Sequence, residues 1–340
     1  RNTASSSTLD RLGFKSEGTN LNLRYQNNTI IADSLFGIKY NLSNFDINKY
    51  GFNHVTSEKT MGLYQNNNAS QLAILTDGIY NNIDLTVNTL DNQTSLLNAL
   101  SGLNLNYFKR VPSQLFDQDA KSLNQRVAKN VSNSNKDFVT ITYRVIAPPH
   151  SQLYVSVPNI SWSDDNNHSL SITVNGVTRN QVTDNTFDFF DLGYFETEAM
   201  VTIKLSFPGN KAISFDNPSF YALDTKNYQI AMDTINDRDS KVTTSNNKVF
   251  VDYSSKTNAS LFFTIPYDKG WTATINHKKV KIQRAQKGFM KVDVPSGKGK
   301  VVLTFIPYGL KTGLLISLLA SIIFCCYAYF IRKITIIRNS

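Results

Sequence analysis

Side chains able to carry acid–base or metal chemistry are few in this chain and lie far apart in the sequence. The four histidines, His54, His150, His168 and His277, stand at no metal-ligand spacing, whereas a zinc site needs several such ligands close together. The sequence also has no glycine-rich phosphate loop and no Gly-x-Ser-x-Gly nucleophile motif. We therefore predict no metal site within these 340 residues, and no motif in them indicates a bound cofactor or a catalytic residue.

One predicted loop, residues 162–168, gathers the side chains best suited to contact a sugar. It contains Trp162, the carboxylates of Asp164 and Asp165, and the amide of Asn167. An exposed tryptophan can stack on a sugar ring, while carboxylates and amides hydrogen-bond its hydroxyls. We predict these four residues as candidate carbohydrate contacts. The alternative stays open that Trp162 packs in a core and that the acidic residues are solvated turn residues.

The C-terminal end of the chain predicts a membrane-spanning helix. Residues 312–331 carry no charge, and a helix of about twenty residues covers about 30 Å, the thickness of the hydrocarbon core. Basic residues flank this run: Lys311 before it, and Arg332, Lys333 and Arg338 after it. The basic tail predicts that residues 332–340 are cytoplasmic and that residues 1–308 lie outside the cytoplasm, next to the bilayer.

Composition indicates a folded, exported region. Charged residues make up 18% and aromatic residues 11% of the chain, which is typical of a globular protein. No Lys/Arg cluster with interleaved aromatics argues for nucleic acid. Residues 1–308 contain no cysteine and carry a net charge of +5. The first feature is ordinary for a bacterial exported domain; the second fits attraction to anionic polymers or lipid head groups and, equally well, a soluble surface that is simply basic.

Alternation of apolar and polar residues predicts a mainly β fold. Period-two strands separated by turn residues fill the chain from residue 137 onward, a pattern typical of antiparallel β-sandwiches. The polar stretch 233–247 divides these strands. We predict two sandwiches in series, a jelly-roll-like one over residues 137–232 and a membrane-proximal one over residues 248–308.

Shorter signals locate individual elements before and within the sandwiches. Residues 1–128 are predicted to form a small mixed α/β region. Within it, residues 28–32 are predicted as a short strand, and residues 92–102 as a helix that ends at Gly102. The dipeptide Asn175-Gly176 predicts a two-residue hairpin turn.

The run LFFTIPYDKGW, residues 261–271, resembles a motif near the C-terminus of the YfhO family of bacterial membrane proteins. It is the most specific of several such segments, and we expect its Trp271 to be buried in the second sandwich. Residues 32–40, ADSLFGIKY, resemble a second family segment, and Asn276-His277 stands where the family commonly has Asp-Gly. Weaker matches occur at residues 191–195, 221–224, 288–290 and 307–310.

The resemblance implies a polytopic enzyme of the GT-C-like class, which transfers a sugar from a polyprenyl-phosphate donor outside the membrane. It further implies glycosylation of lipoteichoic acid or a related Gram-positive envelope polymer. In this class the catalytic carboxylate lies in the multi-span N-terminal half. We therefore expect membrane segments before residue 1 that pack with this chain, and we expect the chain alone to be inactive.

Two other functions stay open. The chain can be a non-enzymatic surface or carbohydrate-binding module held by one helix, or a purely structural cap on the membrane domain. Residues 306–310, IPYGL, lack the Thr-Gly of a wall-sorting pentapeptide, which argues against covalent wall attachment. The donor sugar, the acceptor and the oligomeric state are not encoded in any recognisable motif.

Overall fold

The computed structural model describes residues 3–16, 23–24, 29–118, 122–123, 126–128, 138–162, 168–183, 188–208 and 213–338. The helices in these ranges are α1 (Thr3–Arg11), α2 (Ile30–Leu35), α3 (Thr89–Ser101), α4 (Thr225–Asn236) and α5 (Leu310–Arg338). The strands are β1 (Lys15–Ser16), β2 (Leu23–Arg24), β3 (Tyr40–Ser43), β4 (Phe52–Glu58), β5 (Met61–Asn66), β6 (Ala73–Leu75), β7 (Phe108–Val111), β8 (Ser113–Gln118), β9 (Ser122–Leu123), β10 (Arg126–Ala128), β11 (Phe138–Ala147), β12 (Ser151–Val157), β13 (Ser161–Trp162), β14 (His168–Val174), β15 (Val177–Thr183), β16 (Asp188–Phe195), β17 (Ala199–Pro208), β18 (Ile213–Asp216), β19 (Ser219–Asp224), β20 (Ser240–Ser245), β21 (Lys248–Ser255), β22 (Ala259–Phe263), β23 (Trp271–Ile275), β24 (Lys278–Val280), β25 (Gln283–Ala285), β26 (Phe289–Val294) and β27 (Gly297–Phe305).

The first sandwich packs a five-stranded antiparallel sheet, in the order β15-β14-β17-β11-β8, against a four-stranded one, in the order β16-β12-β19-β7. Its core is built from alternate residues of both sheets, for example Leu153 and Val155 of β12 against Ile203 of β17. Strands β7 and β8 come from residues 108–118, so the N-terminal region supplies one edge strand to each sheet.

The second sandwich repeats this plan nearer the C-terminus. Its sheets have the orders β20-β21-β27-β23-β24 and β25-β26-β22-β6. The core includes Val251, Leu261 and Leu303, all fully buried. Here too a strand from the N-terminal region completes a sheet, because β6 pairs with β22.

A third core, which includes residues from all four N-terminal and central helices, joins the two sandwiches. Helices α1 to α4 contribute half of its buried residues, and the outer faces of the two four-stranded sheets contribute others, including Tyr154 of β12 and Phe262 of β22. Every residue of β12 and of β22 is therefore buried, since each strand has a sandwich core on one face and the helical core on the other. The mainly β fold is confirmed, and this helical layer is the feature that sequence patterning did not predict.

The predicted strand over residues 28–32 is wrong, because this segment begins helix α2. Thr29 is the N-cap residue, and its side-chain oxygen accepts a hydrogen bond from the backbone N–H of Ala32. All six residues of α2 are buried, so the apolar run reflects a helix covered on all sides and not a strand. The helix predicted over residues 92–102 is confirmed by α3, which Gly102 caps with φ of +77°.

The predicted turns form as expected, and the polar divider has structure of its own. Asn175-Gly176 joins β14 to β15, with φ of +47° and +89°. Asn276 and His277 both take positive φ between β23 and β24, so histidine fills a position that suits glycine. The stretch 233–247 contains the end of α4 and the whole of edge strand β20.

Trp271 is only half-buried, which corrects the prediction of a buried anchor. It starts β23, pairs with Phe305 at the end of β27, and lies with its ring centroid 5.0 Å from that phenyl ring. The preceding Gly270 accepts a hydrogen bond from Ile306 N–H, and a Cβ at Gly270 would lie 2.3 Å from the Ile306 carbonyl oxygen. The segment 261–271 therefore secures the chain where it leaves the sandwich.

Helix α5 follows the last strand after four residues and confirms the predicted C-terminal apolar helix. Its first 23 residues, Leu310–Arg332, are long and apolar enough to cross a membrane, and none of them is buried against the rest of the chain. Because the helix offers this apolar surface to its surroundings, a bilayer is the environment that satisfies it.

Candidate functional site

The four predicted carbohydrate contacts cannot be placed from side-chain geometry. Strand β13 ends at Trp162, which pairs with Ile213 of β18. The side chain of Trp162 and all of Asp164, Asp165 and Asn167 lie outside the described residues. Their role in sugar contact stays a prediction.

Two of the histidines, His54 and His150, contact neighbouring side chains in the described part of the chain. His54 Nε2 lies 2.6 Å from Ser57 Oγ, and His150 Nδ1 lies 3.4 Å from a carboxylate oxygen of Glu196. Among the described residues, no group of three or more His, Cys, Asp or Glu side chains could hold a metal ion.

A buried ion pair anchors the family-like segment 32–40. Asp33 of helix α2 is completely buried, and its carboxylate oxygen lies 2.9 Å from the Nζ of Lys49, whose side chain is 15% exposed. Burial lowers the pKa of Lys49, but the charges of Asp33 and Asp191 and the hydrogen bond to Asp33 together outweigh it, so the pKa is raised above its usual value. Lys49 is therefore protonated at neutral pH, and its contact with Asp33 ties α2 to the chain that leads into β4.

A second carboxylate, Asp191 of β16, lies in the field of the same lysine. Burial raises its pKa to about 6, against the opposing effects of Lys49 and Arg179. Both carboxylate oxygens accept hydrogen bonds from Gln152 Nε2 at 2.9 Å, and one also accepts from the backbone N–H of Gly193 at 2.8 Å. This network fixes the edge of the first sandwich to residues 48–50 and does not open into a cleft with a free nucleophile or base.

Two buried tyrosines complete the attachment of α2. The Ile30 N–H donates to Tyr154 Oη at 3.0 Å, and Ser34 Oγ lies 2.6 Å from Tyr228 Oη. Burial raises the pKa of Tyr154 well above its usual value, so its hydroxyl stays protonated. These contacts link the first sandwich, α2 and α4 into one support.

The outer face of the second sandwich is the most distinctive charged surface of the described chain. Strand pairing aligns Lys241, Asp252 and Lys300 in one row across β20, β21 and β27. A second row runs from Val302 of β27 to Thr274 of β23 and on to Lys279 of β24. Val251 and Leu303 point into the core. Successive residues of a strand point to opposite faces, so the neighbouring residues Asp252 and Val302, and the rows in which they stand, face the solvent. We call this surface the lysine face; its lysines are Lys241, Lys248, Lys279, Lys298 and Lys300, all exposed.

Charge is strongly concentrated in this part of the sequence. Residues 248–308 hold eleven Lys and Arg against three Asp, a net charge of +8, whereas residues 1–247 carry a net charge of −3. On the lysine face the only carboxylate in the strand register is Asp252, which lies 3.7 Å from Lys300. Phe250 and several threonines fill the surface between the lysines, so the face offers cations, hydroxyls and one aromatic ring to a ligand.

A polar cleft borders the lysine face at edge strand β20. It has a volume of about 490 Å³ and lies between β20 and the loop that follows β5. Gly37 and Lys39 of the segment 32–40 line one side, and Gln65, Asn67 and Ser70 line another. Gly37 has φ of +66°, and a Cβ there would lie 2.9 Å from the Ser70 carbonyl oxygen, so only glycine keeps this wall closed without strain.

Sequence patterning missed both surfaces. The lysines of the lysine face come from strands 241–245, 248–255, 278–280 and 297–305, and only the pairing register brings them to one side. Net charge summed over successive windows of the sequence would have identified residues 248–308 as the basic region. The cleft left no signal beyond the family-like segment, since its other lining residues are ordinary amides and hydroxyls.

A β-rich chain with a C-terminal apolar helix and a basic sandwich beside it is a membrane-associated protein by class. A family model described as "Bacterial membrane protein YfhO" matches residues 1–317. The chain therefore belongs to the YfhO family of bacterial membrane proteins.

Individual relatives are distant. "Uncharacterized protein YfhO" of Bacillus subtilis (strain 168) is 24% identical over 135 residues, which cover 37% of this chain and 16% of that protein. The match thus spans less than a fifth of the relative's length. A cycloisomaltooligosaccharide glucanotransferase of Paenibacillus sp. is 7% identical, with 57% of this chain and 44% of that chain covered at a TM-score of 0.22. A family two carbohydrate esterase from Cellvibrio japonicus is 12% identical, with 33% and 34% covered at a TM-score of 0.20; similarities this low define neither fold nor function.

Proposed function

We propose that this chain is the extracytoplasmic, C-terminal part of a lipid-linked sugar transferase and that it positions an anionic acceptor polymer at the membrane. The transferase takes its sugar from a polyprenyl-phosphate donor, and a multi-span domain of the same polypeptide carries the catalytic residue. Membership of the YfhO family supports the membrane setting. A polymer of the lipoteichoic-acid type, with one phosphate per repeating unit, is the acceptor whose charge complements the lysine face.

The lysine face is the observation that carries this proposal. Its five lysines stand on the solvent-facing side of one sheet with a single carboxylate among them, and four of the five belong to residues 248–308, whose net charge is +8. A cluster of exposed cations attracts a polyanion without requiring a closed pocket.

The direction of β27 separates the lysines of the lysine face by their distance from the helix. The strand runs from Gly297 to Phe305 and leads into α5, so Lys298 and Lys300 stand at the end farther from the helix, whereas Lys248, which pairs with Thr304, stands at the near end. Five steps of strand separate Lys300 from Phe305, about 17 Å at about 3.3 Å per residue. That separation exceeds the Debye length of about 8 Å at physiological salt, which weakens the attraction of Lys298 and Lys300 to the bilayer surface along the strand direction and favours a polymer as their ligand.

The test is binding of purified glycerol-phosphate polymer to the whole chain in nanodiscs of zwitterionic lipid. We expect binding that fades as salt rises, and the triple variant Lys279→Gln, Lys298→Gln, Lys300→Gln should weaken it roughly tenfold at low salt. The matched control carries the same three-charge change at exposed lysines elsewhere: Lys109→Gln, Lys204→Gln and Lys226→Gln.

The control variant separates a specific surface from overall charge. Retained binding in the control and weakened binding in the lysine-face variant supports the proposal. Equal loss in both variants, or absence of binding to the unchanged chain, contradicts it and favours the structural-cap alternative.

A further inference from the structure

The polar cleft beside β20 contains a hydrogen-bonding group that the fold leaves unused. Ser70 is 6% exposed, and its Oγ is buried with no hydrogen-bond partner among the described residues. An unpaired buried hydroxyl costs free energy, so native proteins rarely keep one without a water or a ligand to satisfy it. Ser70 is one of the residues that line the cleft, so a ligand in the cleft lies next to this unsatisfied residue.

Other groups in the cleft are also available to a ligand. Where the structure describes the chain, no side-chain hydrogen bond is formed by Gln65 or Asn67, while Gln71 is fully used by its bonds to Ser240 O and Val242 N–H. Lys39 is exposed and contacts only the ring of Tyr40, at 5.7 Å. The walls therefore present amide donors and acceptors, the hydroxyls of Ser70 and Thr244, and one cation.

The chemistry of this lining selects a neutral, hydroxyl-rich ligand. Amides and a hydroxyl can both donate and accept, which matches sugar hydroxyls that do the same. Phosphate offers acceptors only, and a single exposed lysine at the rim makes a weak anion site. The volume of about 490 Å³ falls within the range of small-molecule sites, about 300–1,000 Å³.

We propose that this cleft binds one neutral sugar unit of the polymer held on the lysine face, with Ser70, Gln65 and Asn67 as the binding residues. The identity of the polymer rests on the proposed function, but the sugar site itself does not. The cleft adjoins the edge strand of the lysine face on the side of Val242 and Thr244, one residue out of phase with Lys241, so a sugar attached to a bound chain reaches it around that edge.

The first experiment maps the site with free sugars. The whole chain carries Thr244→Cys, at an exposed cleft residue that is not one of the three binding residues, in a background with Cys325→Ser and Cys326→Ser, and is held in nanodiscs. Glucose and N-acetylglucosamine are titrated while the rate of thiol alkylation is measured. We expect at least one of the two sugars to slow alkylation saturably by threefold or more, and inorganic phosphate to leave the rate unchanged.

The control thiol is Ser113→Cys, which lines a separate cleft of about 380 Å³ beside Arg110 and Pro218. Neither sugar should protect it. Ser70→Ala should weaken the sugar dissociation constant about 3- to 10-fold, the value of one hydrogen bond. This substitution removes a buried hydroxyl that has no hydrogen-bond partner among the described residues, so the unfolding midpoint should stay the same or rise, and it should not fall.

The outcomes distinguish this proposal from the function on which it builds. Protection by phosphate but not by sugars would overturn the sugar site. So would absence of protection by either sugar, and if the polymer still binds the lysine face, the proposed function stands without the cleft. If the chain does not bind the polymer but the sugars still protect the thiol, the proposed role in holding the acceptor polymer is rejected and the cleft remains a carbohydrate site.

Discussion

Breaking the buried ion pair between Asp33 and Lys49 should destabilise the chain strongly, and removing both charges should restore much of the loss. Asp33 is completely buried and Lys49 is 15% exposed. Asp33→Asn leaves the lysine charge without its partner, and such a change typically costs about 3–5 kcal/mol. We expect about 3 kcal/mol, the lower end, because Asp191 also acts on the pKa of Lys49 and offers partial compensation.

The assay is a double-mutant cycle of unfolding free energies. Each free energy is measured by urea unfolding of the whole chain in detergent micelles, with circular dichroism as the signal. The double variant Asp33→Asn, Lys49→Met should be clearly more stable than Asp33→Asn alone, since it leaves no unpaired charge in the interior. The exposed pair Asp252 and Lys300 is the control, and Asp252→Asn should stay within about 0.5 kcal/mol of the unchanged chain. If Asp33→Asn also changes the unfolding free energy by no more than about 0.5 kcal/mol, the ion pair does not hold α2 in place.

Three further predictions concern pH, packing and topology. The pKa of Asp191, raised to about 6 by burial, makes the unfolding free energy rise as pH falls from 6 towards 4, by up to about 1.4 kcal/mol per pH unit; this slope should vanish in Asp191→Asn, and an unchanged slope in the variant would refute the assignment. Trp271→Ala should lower the unfolding free energy by about 2 kcal/mol, less than the about 3–5 kcal/mol typical of a fully buried aromatic residue. A loss within that higher range, measured by urea unfolding, would contradict half-burial. Ser340→Cys, with Cys325→Ser and Cys326→Ser, should resist a membrane-impermeant thiol reagent in intact cells, and labelling without permeabilisation would place the tail outside the cytoplasm.

Local signals predicted individual elements well. Helix α3 and its Gly102 cap, and the hairpin at Asn175-Gly176, follow from residue types that have one favourable conformation at those positions. Segment 28–32 failed because a short apolar run suits a buried helix as well as a strand. Its N-cap, Thr29, was the available clue.

Long-range assembly was beyond sequence patterning. The all-buried strands β12 and β22 owe their second covered face to helices far away in the sequence, and period-two patterning records only that a residue is apolar. The lysine face depends on the register between β20, β21, β27, β23 and β24. A one-residue slip would turn its lysines into the core, and no single segment encodes that register.

The central claim, that the lysine face presents the acceptor to the transferase, is tested most directly by the sugar content of envelope polymers from living cells. Cells would produce the full-length protein with either the triple Lys→Gln change at 279, 298 and 300 or the control change at 109, 204 and 226, at matched membrane levels. We predict that polymer glycosylation falls severalfold with the lysine-face variant and is unchanged with the control. Normal glycosylation in the lysine-face variant would contradict the claim.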